Sequence, residues 1–133
     1  MSGFETSIQK AIVAKLKAST ALMAIVTGVY DSVPQGSNYP FIIVGDDRHE
    51  DRSTDDGIRR EVRILIHVWS RFRGREQVKQ IQYLIELALN RQKLSISGYE
   101  FVGMHFVNSD SFLEADELTR QGIIEFNIII KRI

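Results

Sequence analysis

The side chains that carry most enzyme chemistry are sparse in this sequence of 133 residues, which has three His and no Cys. The lack of Cys excludes disulfides, thiolate nucleophiles and Cys-ligated zinc. The sequence contains no G-x-S-x-G nucleophile elbow, no G-x-x-x-x-G-K-[ST] phosphate loop and no H-E-x-x-H zinc motif. We therefore expect no catalytic centre of these classes, no metal and no cofactor.

The densest group of ionisable side chains is the segment 46–56, which reads DDRHEDRSTDD and carries six acids and two Arg, a net charge of −4. Its run His49–Asp51 has metal-ligand side chains, but neighbours on an extended chain point to opposite sides, so a solvated segment is the stronger interpretation. The carboxylate pairs 46–47 and 55–56 lack the apolar surroundings that acid–base catalysis requires. We interpret the segment as a long solvated loop or a hairpin arm.

A basic cluster follows between positions 58 and 75, where six Arg and one Glu give a net charge of +5 and alternate with Trp69 and Phe72. This composition is typical of a groove for single-stranded nucleic acid, which is one functional alternative. The first and last Arg of the cluster fall at opposite ends of one predicted strand, however, and so do not form one patch. Arg73 and Arg75 precede a predicted helix, where the helix dipole disfavours cations. An acidic partner explains their placement, and segment 46–56 of the same chain or a neighbouring copy is available.

Two main helices must position these segments. Apolar residues recur at spacings of three and four from Phe4 to Leu16 and again from Val78 to Leu89, each defining one helical face. Ser19 or Thr20 begins a short helical turn between the first helix and Gly28. The segment 32–40 contains both prolines, Pro34 and Pro40, and should be a stiff loop.

The remaining elements read as strands. We predict a short strand over 41–44 that ends at Gly45, a strand over 58–70 with a period of two, a short strand at 94–96, a strand over 99–107, a polar loop over 108–119 and a last strand over about 121–131. This order indicates an α+β fold, with a mostly antiparallel four- to five-stranded sheet and two main helices on one face. The length is that of a single domain, here residues 1–133.

One sheet face should pack on the helices, and the other is more apolar than a solvated face needs to be. The predicted core face comprises Val62, Ile64, Ile66, Val102, Met104, Phe106, Ile124, Phe126 and Ile128. The opposite face carries Leu65, Trp69, Tyr99, Phe101, Val107 and Ile129. Either the long loops cover this second face or another subunit does, and the second interpretation is favoured.

The order of landmarks resembles the phage tail-completion family. The residues that carry the resemblance are Gly28-Val-Tyr-Asp31, Val33-Pro34, Tyr39-Pro-Phe-Ile-Ile-Val-Gly45, and Val68-Trp-Ser70 with Gly74 before a helix. The family comprises tail terminators and tail-to-head joining proteins of long-tailed phages and phage-like particles. In the family the later loop commonly carries a basic-acidic pair and a Gly, whereas Ser111–Asp116 is longer and more acidic here.

The resemblance implies a structural virion protein and not an enzyme. It implies a homo-oligomeric ring, typically of six copies, that caps the tail tube and docks to the head connector or stopper protein while DNA passes through the lumen. The net charge of zero agrees with a lumen that does not grip DNA. The place of the protein would be the head-proximal end of the virion tail, after assembly in the host cytoplasm. No signal peptide or membrane span is recognisable in the sequence.

Three groups of candidate site residues follow. The subunit interface is expected to include Leu65, Trp69, Phe72, Arg73, Arg75, Phe101 and Ile129. Contacts with the tube or connector are expected from two loops, through Asp46, Asp47, Arg48, Glu50, Asp51, Arg52, Asp55, Asp56, Asp110, Phe112, Glu114 and Asp116. Pro34 and Pro40 are expected to form a structural brace. The last strand either pairs across the ring or is a central strand within the subunit.

Overall fold

The computed structural model describes residues 4–32, 38–96 and 98–132 of the chain. In chain order the elements are α1 (Phe4–Lys17), α2 (Thr20–Met23), β1 (Val29–Tyr30), β2 (Phe41–Asp51), β3 (Arg59–Ser70), α3 (Glu76–Leu89), β4 (Tyr99–Leu113) and β5 (Arg120–Arg132). Residues 33–37, which include Pro34, lie outside the described residues. None of the described helices is long and apolar enough to cross a membrane.

The helices form where the apolar periodicity places them. Ile8, Ile12 and Leu16 of α1 are fully buried, as are Ile81 and Ile85 of α3. The short α2 begins at Ser19, whose hydroxyl accepts a hydrogen bond from the Leu22 amide at 3.3 Å and so satisfies one of the free donors of the first turn.

The five strands form one sheet in the order β1-β2-β3-β5-β4. Only the β1–β2 pair is parallel, and the other three pairs are antiparallel. The buried stripes of α1 and α3 form one hydrophobic core with the side chains of a single sheet face. The expectation of an α+β fold with a mostly antiparallel sheet is therefore confirmed. The last strand, β5, lies between β3 and β4, so it is a central strand within the subunit and not one that pairs across a ring.

Two strands are longer than the sequence indicates. The strand predicted to end at Gly45 continues to Asp51, because a bulge takes up Asp46 as an extra residue at a φ of 58° and pairing with β3 resumes at Asp47. The polar segment 108–113, predicted as a loop, forms the second half of β4 and pairs with β5. Both acidic segments are therefore hairpin arms rather than loops, apart from their turns.

The short strand predicted at 94–96 is absent from the structure. Leu94 and Ile96 are buried, but they belong to the irregular connection between α3 and β4 and supply side chains to the core without strand pairing. The alternation of apolar and polar residues in this segment reflects core packing alone.

A bulge between Phe101 and Gly103 changes which side chains of β4 face the helices. Phe101 pairs with the buried Ile130 and packs against the core, as does Tyr99, so both lie on the helix side and not on the opposite face. Val102, predicted in the core, is 48% exposed. Because one extra residue enters the strand at this point, the predicted faces are wrong for these three residues.

The two long hairpins turn at opposite ends of the sheet. One end, here called the Ser70 end, contains Phe41, Ser70 and the 114–119 turn of the β4–β5 hairpin. The other, called the Asp51 end, contains Asp51, Arg59 and the 52–58 turn of the β2–β3 hairpin. The strands β3 and β5 pair over their whole length, and they hold the two turns apart as a rigid spacer.

The bulge in β4 predicts that neighbouring truncations have unequal effects on stability. Replacing Phe101 by Ala should lower the free energy of unfolding by about 1–3 kcal/mol, because the ring packs against the core, whereas Val102→Ala should change it by about 0.5 kcal/mol or less. Urea denaturation followed by circular dichroism measures both values. A larger loss for Val102→Ala than for Phe101→Ala would contradict the observed strand register.

Candidate assembly surfaces

The sheet face that points away from α1 and α3, called the open face, has no described helix over it. Its side chains fall in cross-strand rows that the pairing register defines. The row at the Ser70 end comprises Phe41, Trp69, Gln121 and Phe112, one residue from each of β2, β3, β5 and β4. Leu65 and Ile129 lie on the same face farther toward the Asp51 end, and both are half-buried.

Aromatic residues of the same chain partly cover the open face at the Ser70 end. Phe41 is only 3% exposed, and its ring centroid lies 5.1 Å from that of Tyr39 and 6.4 Å from that of Tyr30. The guanidinium carbon of Arg71 lies 4.3 Å from the Tyr39 ring centroid, in a cation–π contact. The chain thus covers part of this face itself, while Trp69 stays half-buried beside the cover.

Pro40, next to this aromatic cluster in the chain, is held in place by Thr27. Its carbonyl accepts a hydrogen bond from the Thr27 amide at 2.8 Å and a second from the Thr27 hydroxyl at 3.1 Å. The Tyr39–Pro40 peptide bond is cis. These contacts hold the entry to β2, and the expected role of Pro40 as a brace remains a prediction.

His67 holds the bulge of β2 from the middle of the open face. Gln121 donates its side-chain amide to the imidazole Nδ1 at 2.8 Å, and so the Nε2–H donates to the carboxylate of Asp46, also at 2.8 Å. Both ring nitrogens are therefore engaged in positioning neighbours. The other predicted contact residue nearby, Asp47, accepts a hydrogen bond from His49 at 2.8 Å.

The Asp51 end of the open face carries a network of ion pairs. Glu50 and Glu61 are direct cross-strand neighbours, and Arg52 bridges them with nitrogen–oxygen distances of 2.7 and 3.1 Å. Glu61 and then Glu50 raise the pKa of Arg52. Arg63 lies 3.7 Å from Glu61 and 3.2 Å from Glu125, which extends the network to β5.

Most acids of segment 46–56 are therefore held by contacts within the chain. Arg48 lies 3.3 Å from Glu50, and the hydroxyl and amide of Ser53 donate to Asp51 and lower its pKa. Among the described residues, no ion pair involves Asp55 or Asp56, at the tip of the turn. The segment reads as one acidic patch in the sequence, but its acids up to Asp51 accept hydrogen bonds or form ion pairs within the chain, in contrast to those at the tip.

His49 does not form the metal cluster that the run 49–51 could have formed. In the described part of the chain, no three His, Asp or Glu side chains are arranged to hold a metal ion. His49 and Glu50 point to opposite faces of β2, with His49 paired to the core residue Val62.

Asp116 builds the β4–β5 turn. Its carboxylate accepts hydrogen bonds from the amides of Leu118 and Thr119 and from the Thr119 hydroxyl, at 2.7–2.9 Å. The Thr119 amide makes the largest contribution in lowering the pKa of Asp116 to about 2. Thr119 in turn accepts a hydrogen bond from Arg71 at 3.1 Å, so the turn is tied to the loop before α3.

The Arg-rich segment is divided between the two ends of the sheet. Arg59 and Arg60 lie at the Asp51 end, whereas Arg71, Arg73 and Arg75 follow β3 at the Ser70 end. From Arg60 to Arg71 the chain runs almost the whole length of β3, which is about 36 Å at the usual rise. Arg75 is the N-cap of α3 without a side-chain capping bond, and Phe72 is exposed beside it. The segment does not form one groove for single-stranded nucleic acid.

Sequence reasoning missed two surfaces at the edges of the sheet. The edge strand β4 exposes Val102, Val107, Phe112 and Leu113. At the opposite edge, α1 and β1 enclose a groove of about 460 Å³ with Lys10 and Lys17 at its rim. The exposure of the apolar residues on β4 cannot be read from the sequence without knowing where the bulges lie. The groove cannot be predicted from the sequence because it forms only where α1 packs beside β1.

These features describe a class of protein: a small α+β domain with a hairpin turn at each end of its sheet, charge pairs organised by register and apolar side chains exposed along one edge. The chain belongs to the family described as tail completion protein gp17, whose family model matches residues 10–131. This family is one of structural tail-completion proteins, and the match confirms the resemblance carried by the sequence landmarks.

Known relatives agree with the assignment. The tail completion protein gp17 of Bacillus phage SPP1 is 27% identical over 124 residues, which cover 93% of this chain and 92% of that protein. Its solved structure has a TM-score of 0.66 at 24% identity, covering 92% of this chain and 88% of that one. A chain in the structure of the virion of a native gene transfer agent particle has a TM-score of 0.91 at 23% identity and covers 98% and 99% of the two chains. The fold is thus shared over nearly the whole length.

The hydrogen bonds to Asp116 predict a pH-dependent contribution to stability. Since the folded-state pKa of about 2 lies below the ordinary value of 3.8, the stabilisation is present above pH 3.8 and is lost as the pH falls toward 2. The difference in unfolding free energy between the wild type and Asp116→Asn should therefore shrink between pH 5 and pH 2. Urea titrations across this range measure it, with Asp55→Asn as the control. A constant difference would contradict the assigned role of Asp116.

Proposed function

We propose that this chain is a tail terminator or tail-to-head joining subunit. Copies of it form a ring, of six subunits, that caps the tail tube, docks to the head connector or stopper protein and lets DNA pass through its lumen. The observation that carries the proposal is the family match over residues 10–131, which includes all strands and both main helices apart from the start of α1 and the last residue of β5.

The structural neighbours support a role within a particle. One neighbour is a chain of a gene transfer agent virion, and the similarity covers 98% of this chain and 99% of that one. The gp17 protein of phage SPP1 is named for tail completion. We assign this chain to the head-proximal end of a virion tail on these grounds, with assembly in the host cytoplasm.

The placement of the two turns suits a subunit that joins two different structures. The 52–58 turn at the Asp51 end presents Asp55 and Asp56, and the 114–119 turn at the Ser70 end presents Glu117. We assign one turn to the tail tube and the other to the connector. The paired acids Asp46, Asp47, Glu50 and Asp51, and the turn-forming Asp116, stabilise the hairpin arms that carry these tips.

The lateral surfaces of the subunit are the second part of the proposal. Leu65, Trp69 and Ile129 are half-buried on the open face, and Phe72, Arg73 and Arg75 are exposed at the Ser70 end. These residues form one part of the proposed interface between copies. Phe101 lies on the helix side and does not extend this surface, although it remains near the edge of the sheet. The proposal assigns no catalytic role to any residue and needs no cofactor.

The geometry does not favour the alternative function, binding of single-stranded nucleic acid. Arg71 is held by Tyr39 and Thr119, and Trp69 and Phe72 belong to different surfaces, one on the sheet and one in a loop. Stacking of successive bases requires aromatic side chains along one groove. Filter binding at low and moderate salt should therefore show no retention of single-stranded DNA. Salt-dependent retention would favour the alternative.

Light scattering of the purified chain at several concentrations, with and without tail-tube protein, tests ring formation. We expect a defined oligomer in solution or one that forms on the tube. A monomer at every concentration, together with no association on tubes, would contradict the proposal.

A substitution of Trp69 distinguishes an effect on assembly from an effect on folding. Trp69→Ala should reduce oligomer formation more than it reduces the free energy of unfolding of the monomer, because the ring is half-buried at the rim of the aromatic cover. Light scattering and urea denaturation of the same preparation give the two quantities. An equal loss of both would mean that Trp69 serves only the subunit core.

Charge reversal tests the basic surface at the Ser70 end. The double variant Arg73→Glu and Arg75→Glu should weaken oligomer formation, with a larger effect at low salt because exposed charges are screened as salt rises. Lys93→Glu, in the exposed connection before β4, is the control. Unchanged assembly of the double variant at every salt concentration would remove the charge-pairing role.

A further inference from the structure

The two edges of the sheet lie at the same level along the strands. The register defines a row of five residues across the whole sheet: Val29, Ile42, Val68, Gly122 and Ser111. The next row joins Tyr30 to Asp110 in the same way. Two copies placed side by side without a shift along the strands would therefore bring the second half of β4 next to β1 and α1.

Backbone pairing between such copies is disfavoured at both edges. Gln82 of α3 donates its side-chain amide to the Asp110 carbonyl at 2.7 Å, and Gln9 of α1 does the same for the Val44 carbonyl at 2.8 Å. Two bulges further interrupt β4. These features blunt an edge strand, so a contact between copies at this level must rely on side chains.

The β4 edge presents an acidic surface with apolar side chains. Phe112, Leu113 and Leu118 are 43%, 44% and 54% exposed. Asp110 and Glu114 lie beside them, and no ion pair joins these two acids to any described residue. We call these five residues the acidic edge.

The opposite edge has the complementary character. The groove between α1 and β1 is lined by Lys10, Val13, Ala14 and Lys17 on the helix and by Val29 and Tyr30 on the strand. Lys10 and Lys17 are exposed and have no ion-pair partner among the described side chains. Asp31 also lines the groove and leaves it with a net charge of +1. We call this surface the basic groove.

The spacing of the charges on the two surfaces agrees. Lys10 and Lys17 are seven residues apart on a helix, a rise of about 10.5 Å. Asp110 and Glu114 are four residues apart along an extended chain, about 13 Å. Lys10 and Lys17 lie on one side of α1, and the two acids span a similar distance, so two ion pairs can form around an apolar contact.

We propose that the acidic edge of one copy docks in the basic groove of the next copy, a contact that rests on the ring proposed above. Because the two surfaces lie on opposite edges of one sheet, the contact is head-to-tail and repeats from copy to copy until the rotation closes it. Pairing of two identical edges is opposed by repulsion between their like charges.

Thiol-specific cross-linking tests the contact, since the chain has no Cys of its own. Lys10→Cys and Glu114→Cys variants are mixed under the conditions in which light scattering shows association, on tail tubes if tubes are required, and treated with a short bis-maleimide. We expect cross-linked dimers several-fold above those from the control mixture of Lys93→Cys with Glu114→Cys. The double variant Lys10→Cys/Glu114→Cys should give a ladder of products that stops at the closed ring.

A charge exchange provides the second readout. Lys10→Glu/Lys17→Glu and Asp110→Lys/Glu114→Lys should each reduce assembly, and the variant with all four changes should recover it. Two results would overturn this contact while the wild type still associates, and both would leave the proposed function in place. One is that the Cys variants give no more cross-linked dimer than the control mixture, and the other is that the fourfold variant does not recover assembly. Failure of the wild type to associate at all would overturn both.

Discussion

Burial of one face of the sheet against two helices is the constraint on which the rest of this structure depends. The stripes of α1 and α3 meet a continuous layer of apolar side chains from β2, β3, β4 and β5. A two-layer arrangement of this kind satisfies the hydrophobic requirement of a short chain, but it leaves the other sheet face and both edges in contact with solvent. Everything that the subunit presents to a partner therefore lies on surfaces that the core does not use.

On the open face, contacts between neighbouring strands cover apolar side chains and pair charged ones, although this face is in contact with solvent. At the Ser70 end, Tyr30 and Tyr39 cover Phe41, and at the Asp51 end Arg52 and Arg63 neutralise the carboxylates that register places side by side. Like charges directly opposite one another destabilise a sheet, so the Glu50–Glu61 pair requires the bridging Arg52. The same residues that look like a contact surface in the sequence thus serve first to make long hairpins stable in water.

The helices, the fold class and strand β3 could be predicted because each follows from a local period of apolar residues. The ends of β2 and β4 could not, because polar segments form strands there only through pairing with a neighbour that is distant in the sequence. Phe101 and Val102 show the second limit: one extra residue in a strand reverses the inside–outside pattern, and nothing local marks it. Among the candidate site residues, Asp116 and Glu50 were identified as exposed acids, but their hydrogen-bonding partners depend on turn geometry and register.

The contacts around Arg71 also have a mechanical consequence. Asp116 accepts a hydrogen bond from the Thr119 hydroxyl, which itself accepts one from Arg71. Arg71 stacks on Tyr39, whose ring covers Phe41 at the start of β2. This series of short contacts crosses three separate chain segments at one end of the molecule. The tip of the β4–β5 hairpin is therefore coupled through side chains to the aromatic cover of Phe41 and to the segment that precedes α3, so these three parts of the Ser70 end keep a fixed position relative to one another.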